Sequence, residues 1–220
     1  MRHIALCLIV PVAIGAVLCH AQITPVVANQ RIARDVFDPK GNLLRHSETL
    51  GRYLRNSSGT TLTQEYSLLD NSPRIRLGEL EDYSRHKIYQ LNYDKHEAVE
   101  LADLPDGPHR EYLANTKNAL GEETISGLRC LIHPIFMVVD GEKRLIGKKY
   151  DSAEYSLSIK EDAMIDPPGG PRTHRVVELY DIQFVEPDPK EFELERFSFT
   201  GKGAAVCTKP SPSAWKEPLK

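Results

Sequence analysis

Apolar and polar residues alternate one by one through much of this chain. Leu62, Gln64, Tyr66 and Leu68 interleave with Thr61, Thr63, Glu65 and Ser67, and Ile75 and Leu77 flank Arg76. Tyr155, Leu157 and Ile159 interleave with Ser156, Ser158 and Lys160. Val176, Tyr180, Ile182 and Phe184 share one face of a longer run, with Glu178 as the single interruption. A period of two sends successive side chains to opposite faces, so these runs predict strands with one face buried and the other in water. Between them lie Asp38-Pro39-Lys40-Gly41-Asn42, Asn56-Ser57-Ser58-Gly59, Asp140-Gly141-Glu142 and the longer break Pro167-Pro168-Gly169-Gly170-Pro171. Each signal calls for a tight reversal, so successive strands should be antiparallel neighbours. Helix is scarce. Only Glu111 to Leu120 has helix-forming composition, with little amphipathic character, and the 103–118 segment reads as an irregular insertion between two halves of a sheet. The expected fold is mainly β: a curved antiparallel sheet forming an open or half barrel, with little helix.

The N-terminus breaks the pattern. Arg2 and His3 precede the apolar run Ile4 to Leu18, and Cys19-His20-Ala21 offers small side chains for cleavage before Gln22. This is the layout of an export signal. The run is shorter than the roughly 20 residues a membrane-spanning helix needs. A lipoprotein reading would lipidate Cys19, but Leu18 stands where a small residue is expected. The expected organisation is a cleaved signal at 1–21, one β domain at 22–200 and a flexible Pro-rich tail at 201–220, the protein working in the periplasm or outside the cell. Trp215 in that tail either tucks back onto the body or offers an exposed handle. Without its signal the chain keeps 199 of 220 residues, enough for one substantial core, with 27 basic against 31 acidic side chains. The charges are mixed along the chain, which argues against a nucleic-acid partner.

Candidate chemistry is sparse. Cys130 and Cys207 are the two cysteines beyond the signal, 77 positions apart and in no CxxC. In an oxidising compartment they are candidates for a disulfide clasping the tail to the sheet, worth about 4 kcal/mol in the chain-entropy model. His46, His86, His96, His109, His133 and His174 show no metal-ligand spacing. The pairs Glu122/Glu123 and Glu178/Asp181 lack any supporting catalytic pattern, there is no GxSxG, and Gly169-Gly170 lacks the context of a phosphate loop. Asn56-Ser57-Ser58 matches a glycosylation sequon. No catalytic residue, metal or cofactor is therefore expected, and the protein is not expected to be an enzyme. The most apolar stretch is Leu131 to Val139, either a central strand buried on both faces or the wall of an apolar ligand cavity. On the second reading Leu131, Ile135, Phe136 and Met137 are the candidate ligand-binding residues.

Four phrases carry a family resemblance. Gly51 to Thr61 resembles a "G-x-x-Y-R-D-S-x-G-R-T" hairpin, and Ile88 to Asn92 with Lys95 to Leu101 a "Y-x-L-D-x-x-x-x-x-A" segment. Leu120 to Arg129 resembles an "L-G-x-x-x-I-x-G-V-x" strand, and Tyr180 to Leu194 a closing strand with a "D-P-x-x-F-x-L" lock. Together they resemble small secreted bacterial proteins of unknown function that are similar to the outer-membrane lipoprotein carriers (LolA/LolB-like half barrels). The resemblance spans roughly residues 30 to 196. It implies a strongly curved antiparallel sheet whose apolar concave face receives acyl chains. It also implies a lipid or lipidated protein as partner and peripheral contact with a membrane. The alternative is a structural or interaction module of the cell envelope, with a filled core and a protein partner at an exposed strand edge.

Overall fold

The computed structural model describes residues 23–67, 73–104, 119–139, 141–167 and 170–202. The signal, most of the 103–118 insertion, most of the tail, Cys207 and Trp215 lie outside them. Twelve strands form one sheet: β1 (Val26–Phe37), β2 (Leu43–Arg55), β3 (Thr61–Ser67), β4 (Arg74–Asp82), β5 (Lys87–Asn92), β6 (Glu97–Asp103), β7 (Gly121–Ile125), β8 (Leu128–Val139), β9 (Glu142–Ser152), β10 (Leu157–Ile165), β11 (Arg172–Gln183) and β12 (Ser198–Lys202). Their spatial order is β12-β6-β5-β4-β3-β2-β1-β11-β10-β9-β8-β7. The sheet is open, with edges at β12 and β7, and it agrees with the expected mainly-β curved half barrel.

Several details differ from expectation. β12 pairs with β6 in parallel, so the sheet is mixed and its last strand runs past residue 200 to Lys202. β8 is the second strand from an edge, and most of its side chains are half-buried, so it is not a central strand buried on both faces. The 120–129 segment is a hairpin rather than one strand. Ser126 and Gly127 take φ of 51° and 78°, the left-handed pair that a two-residue reversal requires. In β11 the fully buried residue is Leu179, on the face opposite Val176 and Tyr180.

Residues next to one another on β1 serve two different cores. Val27 packs with Leu54, Leu62, Leu80, Tyr89, Leu91 and Ala98. Val26 and Ala28 pack with Ile125, Cys130, Leu157, Ile159 and Leu179. Alternation along a strand places these two clusters on opposite faces of β1. Each fully buried Leu contributes about 1.5–3 kcal/mol relative to exposure.

The 184–197 segment covers the first cluster. Asp188 caps a short 3-10 helix (Pro189–Phe192) by accepting from the Lys190 amide at 3.0 Å. Leu194 and Phe197 then enter the core, with Phe192 beside them. The Phe197 ring meets Tyr93 edge-on at 5.3 Å. Polar ties fix this strap to the sheet: Arg52 to Glu191 at 3.3 Å, Arg85 to Glu195 at 3.2 Å, and the Ser57 amide to Glu186 at 3.2 Å. The lock suggested by the sequence therefore fills one face of the β1–β6 half with the chain's own side chains.

The β7–β11 half folds back toward the opposite face. The guanidinium of Arg55, 1% exposed, donates to the carbonyls of Thr24, Tyr155 and Ser156 at 2.6–3.0 Å. It thus holds the β9–β10 turn against the end of β2. Tyr155 of that turn stacks on Phe184 at 3.9 Å. The Ser126 hydroxyl reaches the Leu179 carbonyl at 3.3 Å, tying the β7–β8 turn to β11.

Candidate functional site

The register of the β7–β11 half sets three rows of side chains on one face. The lowest row is Leu131, Asp151 and Ser158. Above it come His133, Lys149, Glu161, Val177 and Ile32. The third is Ile135, Gly147, Ala163, Arg175 and Arg34. A Cβ on Gly147 would lie 2.1 Å from the Asp162 carbonyl oxygen, so only glycine lets β9 and β10 approach this closely.

This face is largely shielded from water yet is not purely apolar. Ile32, Ala163 and Asp151 are buried, and the side chains of Lys149 and Arg175 are only 20% and 13% exposed. The ion pairs here are long: Lys149 to Asp151 at 3.4 Å and Arg175 to Glu161 at 3.7 Å. Burial pushes the Asp151 carboxyl up, against the attraction of Lys149. Burial likewise pulls the Arg175 guanidinium below the usual arginine range, with Glu161 opposing and Arg34 reinforcing the shift.

Four buried side-chain atoms among the described residues lack a hydrogen-bond partner, and three of them belong to this face: Asp151 Oδ1, Ser158 Oγ and Arg175 Nε. Each orphan costs about 1–3 kcal/mol when nothing satisfies it. The fourth, Gln64 Oε1, sits under the strap, where Gln64 Nε2 already donates to Tyr93 and Glu191. The unmet polar demand is thus concentrated on the β8–β11 face.

Of the four residues proposed from sequence, alternation in β8 places Leu131, Ile135 and Met137 on this face and Phe136 on the other. Phe136 pairs with Leu145, and both are exposed at the tip of the β8–β9 hairpin together with Val138. The sequence reading missed Lys149, Asp151, Ser158, Arg175 and Arg34. A signal for Arg175 existed: it shares strand phase with Val177 and Leu179, a cation in an inward-facing alternation. Cys130 stands as a free, fully buried thiol raised by that burial, and Cys207 lies outside the described residues.

A second polar row crosses β2, β1, β11 and β10 on the opposite face. His46 bonds Asp35 at 2.6 Å, and His174 bonds Asp162 at 2.8 Å while lying 3.7 Å from Asp35. The hydrogen bond from His46 is the main cause holding the Asp35 carboxyl below its ordinary range. These groups satisfy one another and leave no orphan atom. Among the described residues no group of three or more His, Cys, Asp or Glu is arranged to hold a metal ion. None of the helices there is long and apolar enough to cross a membrane.

No protein-family model matches the chain, and neither does any curated protein. Solved structures do. A LolA superfamily protein from Nitrosomonas europaea is 11% identical, with 78% of this chain and 90% of that one covered at a TM-score of 0.38. An outer membrane lipoprotein-sorting protein domain from Vibrio parahaemolyticus is 7% identical, with 80% and 92% covered at 0.34. A DUF1329 family protein from Desulfovibrio piger is 12% identical, with 81% and 93% covered at 0.22. At such scores the likeness transfers no residue role to this chain.

Proposed function

We propose that this is a non-enzymatic protein of the periplasm or cell exterior that binds an apolar or amphipathic ligand on the β8–β11 face. Its class is an acyl chain, a lipid or the lipidated end of a protein. The observation that carries this reading is the composition of that face. It combines half-buried Leu131, Ile135 and Met137 and buried Ile32 with three buried polar atoms that lack a partner. A finished core would exclude those atoms or pair them. A site that is completed by a ligand needs both kinds of surface. Each acyl methylene buried there is worth about 0.8 kcal/mol, so a long chain is held with no motif at all.

Lipid extraction from the purified protein, followed by mass spectrometry, tests the proposal together with uptake of a fluorescent fatty acid. Ile135→Asp should abolish uptake while the circular dichroism stays β-rich. Repeated purification with no extractable lipid and no uptake favours the second reading, an interaction module with a filled core. The strap side chains Leu194 and Phe197 packed into the first cluster, and the exposed Phe136, Val138 and Leu145 tip, are what support that alternative.

A further inference from the structure

We infer that the ligand of the β8–β11 face is an oxyanion amphiphile, its carboxylate or phosphate group bound by Arg175 with Arg34 across the β1–β11 ladder. This rests on the binding role proposed above and adds the chemistry of the polar end.

Arg175 is the strongest marker. Its Nε is a buried donor with no acceptor, and its Nη1 stands 3.7 Å from Glu161. Such a distance is an ion pair without a hydrogen bond. Arg34 faces Arg175 directly across the β1–β11 ladder and makes no ion pair among the described residues. Two like charges opposed on one face repel unless an anion lies between them.

The acids nearby do not fill this role. Glu161 stays beyond hydrogen-bond distance at 3.7 Å, and Glu65 and Glu79 act on Arg175 from β3 and β4 as weaker charges. A planar guanidinium with a free Nε presents the fork that carboxylate and phosphate oxygens match. The apolar part has its place alongside, since Ile135 shares the row of Arg175 and Val177 and Ile32 share the row of Lys149. A carboxylate or phosphate set at Arg175 therefore leaves its chain running along apolar side chains. A neutral alcohol of the same length would leave the guanidinium as it is.

Calorimetric titration of the intact protein with dodecanoate, dodecyl phosphate, dodecanol and inorganic phosphate separates the sources. At least one of the two anionic amphiphiles should bind at least ten-fold more tightly than dodecanol. Inorganic phosphate alone should bind much more weakly, because it lacks the apolar part. Arg175→Gln should erase the preference for anion over alcohol, bringing both anionic amphiphiles down to the affinity of dodecanol. If that variant melts early, Arg34→Gln, at an exposed position, should reduce the same preference several-fold. Equal binding of dodecanol and the anions would overturn the inference while leaving the binding face intact. Tight binding of inorganic phosphate with no gain from the chain would overturn it in favour of a plain anion site. Failure of all four compounds to bind would sink it together with the proposed function.

Discussion

Arg55 joins the two halves of the sheet, and its removal can be worked through bond by bond. Its Nε and Nη2 reach the Thr24 carbonyl at 3.0 and 2.8 Å, Nη2 also reaches Tyr155 at 2.7 Å, and Nη1 reaches Ser156 at 2.6 Å. Arg55→Met keeps most of the stem but deletes all four bonds and leaves three carbonyls without that donor. Hydrogen bonds to charged groups are worth about 1.5–3 kcal/mol each, and water entering the breach will satisfy part of the deficit. The net cost should therefore fall near 3–5 kcal/mol, the range for removing one member of a buried charged network. For a domain of this size that corresponds to a fall in Tm of roughly 8–15 °C. Thermal unfolding followed by circular dichroism measures it, and Arg55→Lys, able to reach one carbonyl, should lie between. A loss below about 1 kcal/mol for Arg55→Met would refute the claim that this side chain holds the β9–β10 turn to β2.

Four further outcomes follow from the same geometry. Leu194→Ala removes the strap's anchor, 2% exposed, and should cost about 2–5 kcal/mol in a urea titration, with faster proteolysis near residue 190. Gly51→Ala places a Cβ 2.0 Å from the Gln64 carbonyl oxygen and should destabilise by about 1–3 kcal/mol, whereas the same change at Gly121, with only a side-chain atom 3.9 Å away, should be nearly neutral. Asp151 has a carboxyl raised by burial, so its contribution to stability is full below its unfolded value near 3.8 and is lost as pH rises through the folded value. Asp151→Asn should flatten that decline in Tm measured from pH 3 to 7. The Cys130 thiol, 0% exposed, should resist a thiol reagent in the native state and react after unfolding without reductant; silence in denaturant would instead mean a bridge to Cys207.

What could be read from the sequence divides along physical lines. Strand phase was legible wherever one face meets water: Leu62 and Gln64 do share the strap face. The turn at Asp38 to Asn42 was legible because an Asx side chain and a glycine at φ 87° leave a local signature. Three other reversals escaped because the residues that bend them are ordinary. His86, His96 and Ser156 take φ of 53°, 53° and 47°. Non-glycine residues tolerate that region at a modest cost, so no glycine marks the spot. The parallel pairing of β12 with β6 escaped for a different reason. It depends on where a strap of about a dozen residues ends, which no local pattern encodes.

The candidate site was the least legible part, and its chemistry explains why. Its charged members come from β1, β9, β10 and β11, and apart from Lys149 and Asp151 on β9 no two of them stand at a short spacing in the chain. Each looks like a solvated strand residue until the register aligns it. Leu131, Ile135 and Met137 were legible as apolar, but the face they share is decided by alternation against β9, which sends Phe136 the other way. The unbroken apolar run from 131 to 139 then acquires a simple account. One face of β8 turns half-buried Leu131, Ile135 and Met137 to the β8–β11 face, and the other carries the exposed Phe136 and Val138 at the hairpin tip. A strand buried on both faces and a strand with two different apolar duties spell the same sequence, and only the neighbours in the sheet distinguish them.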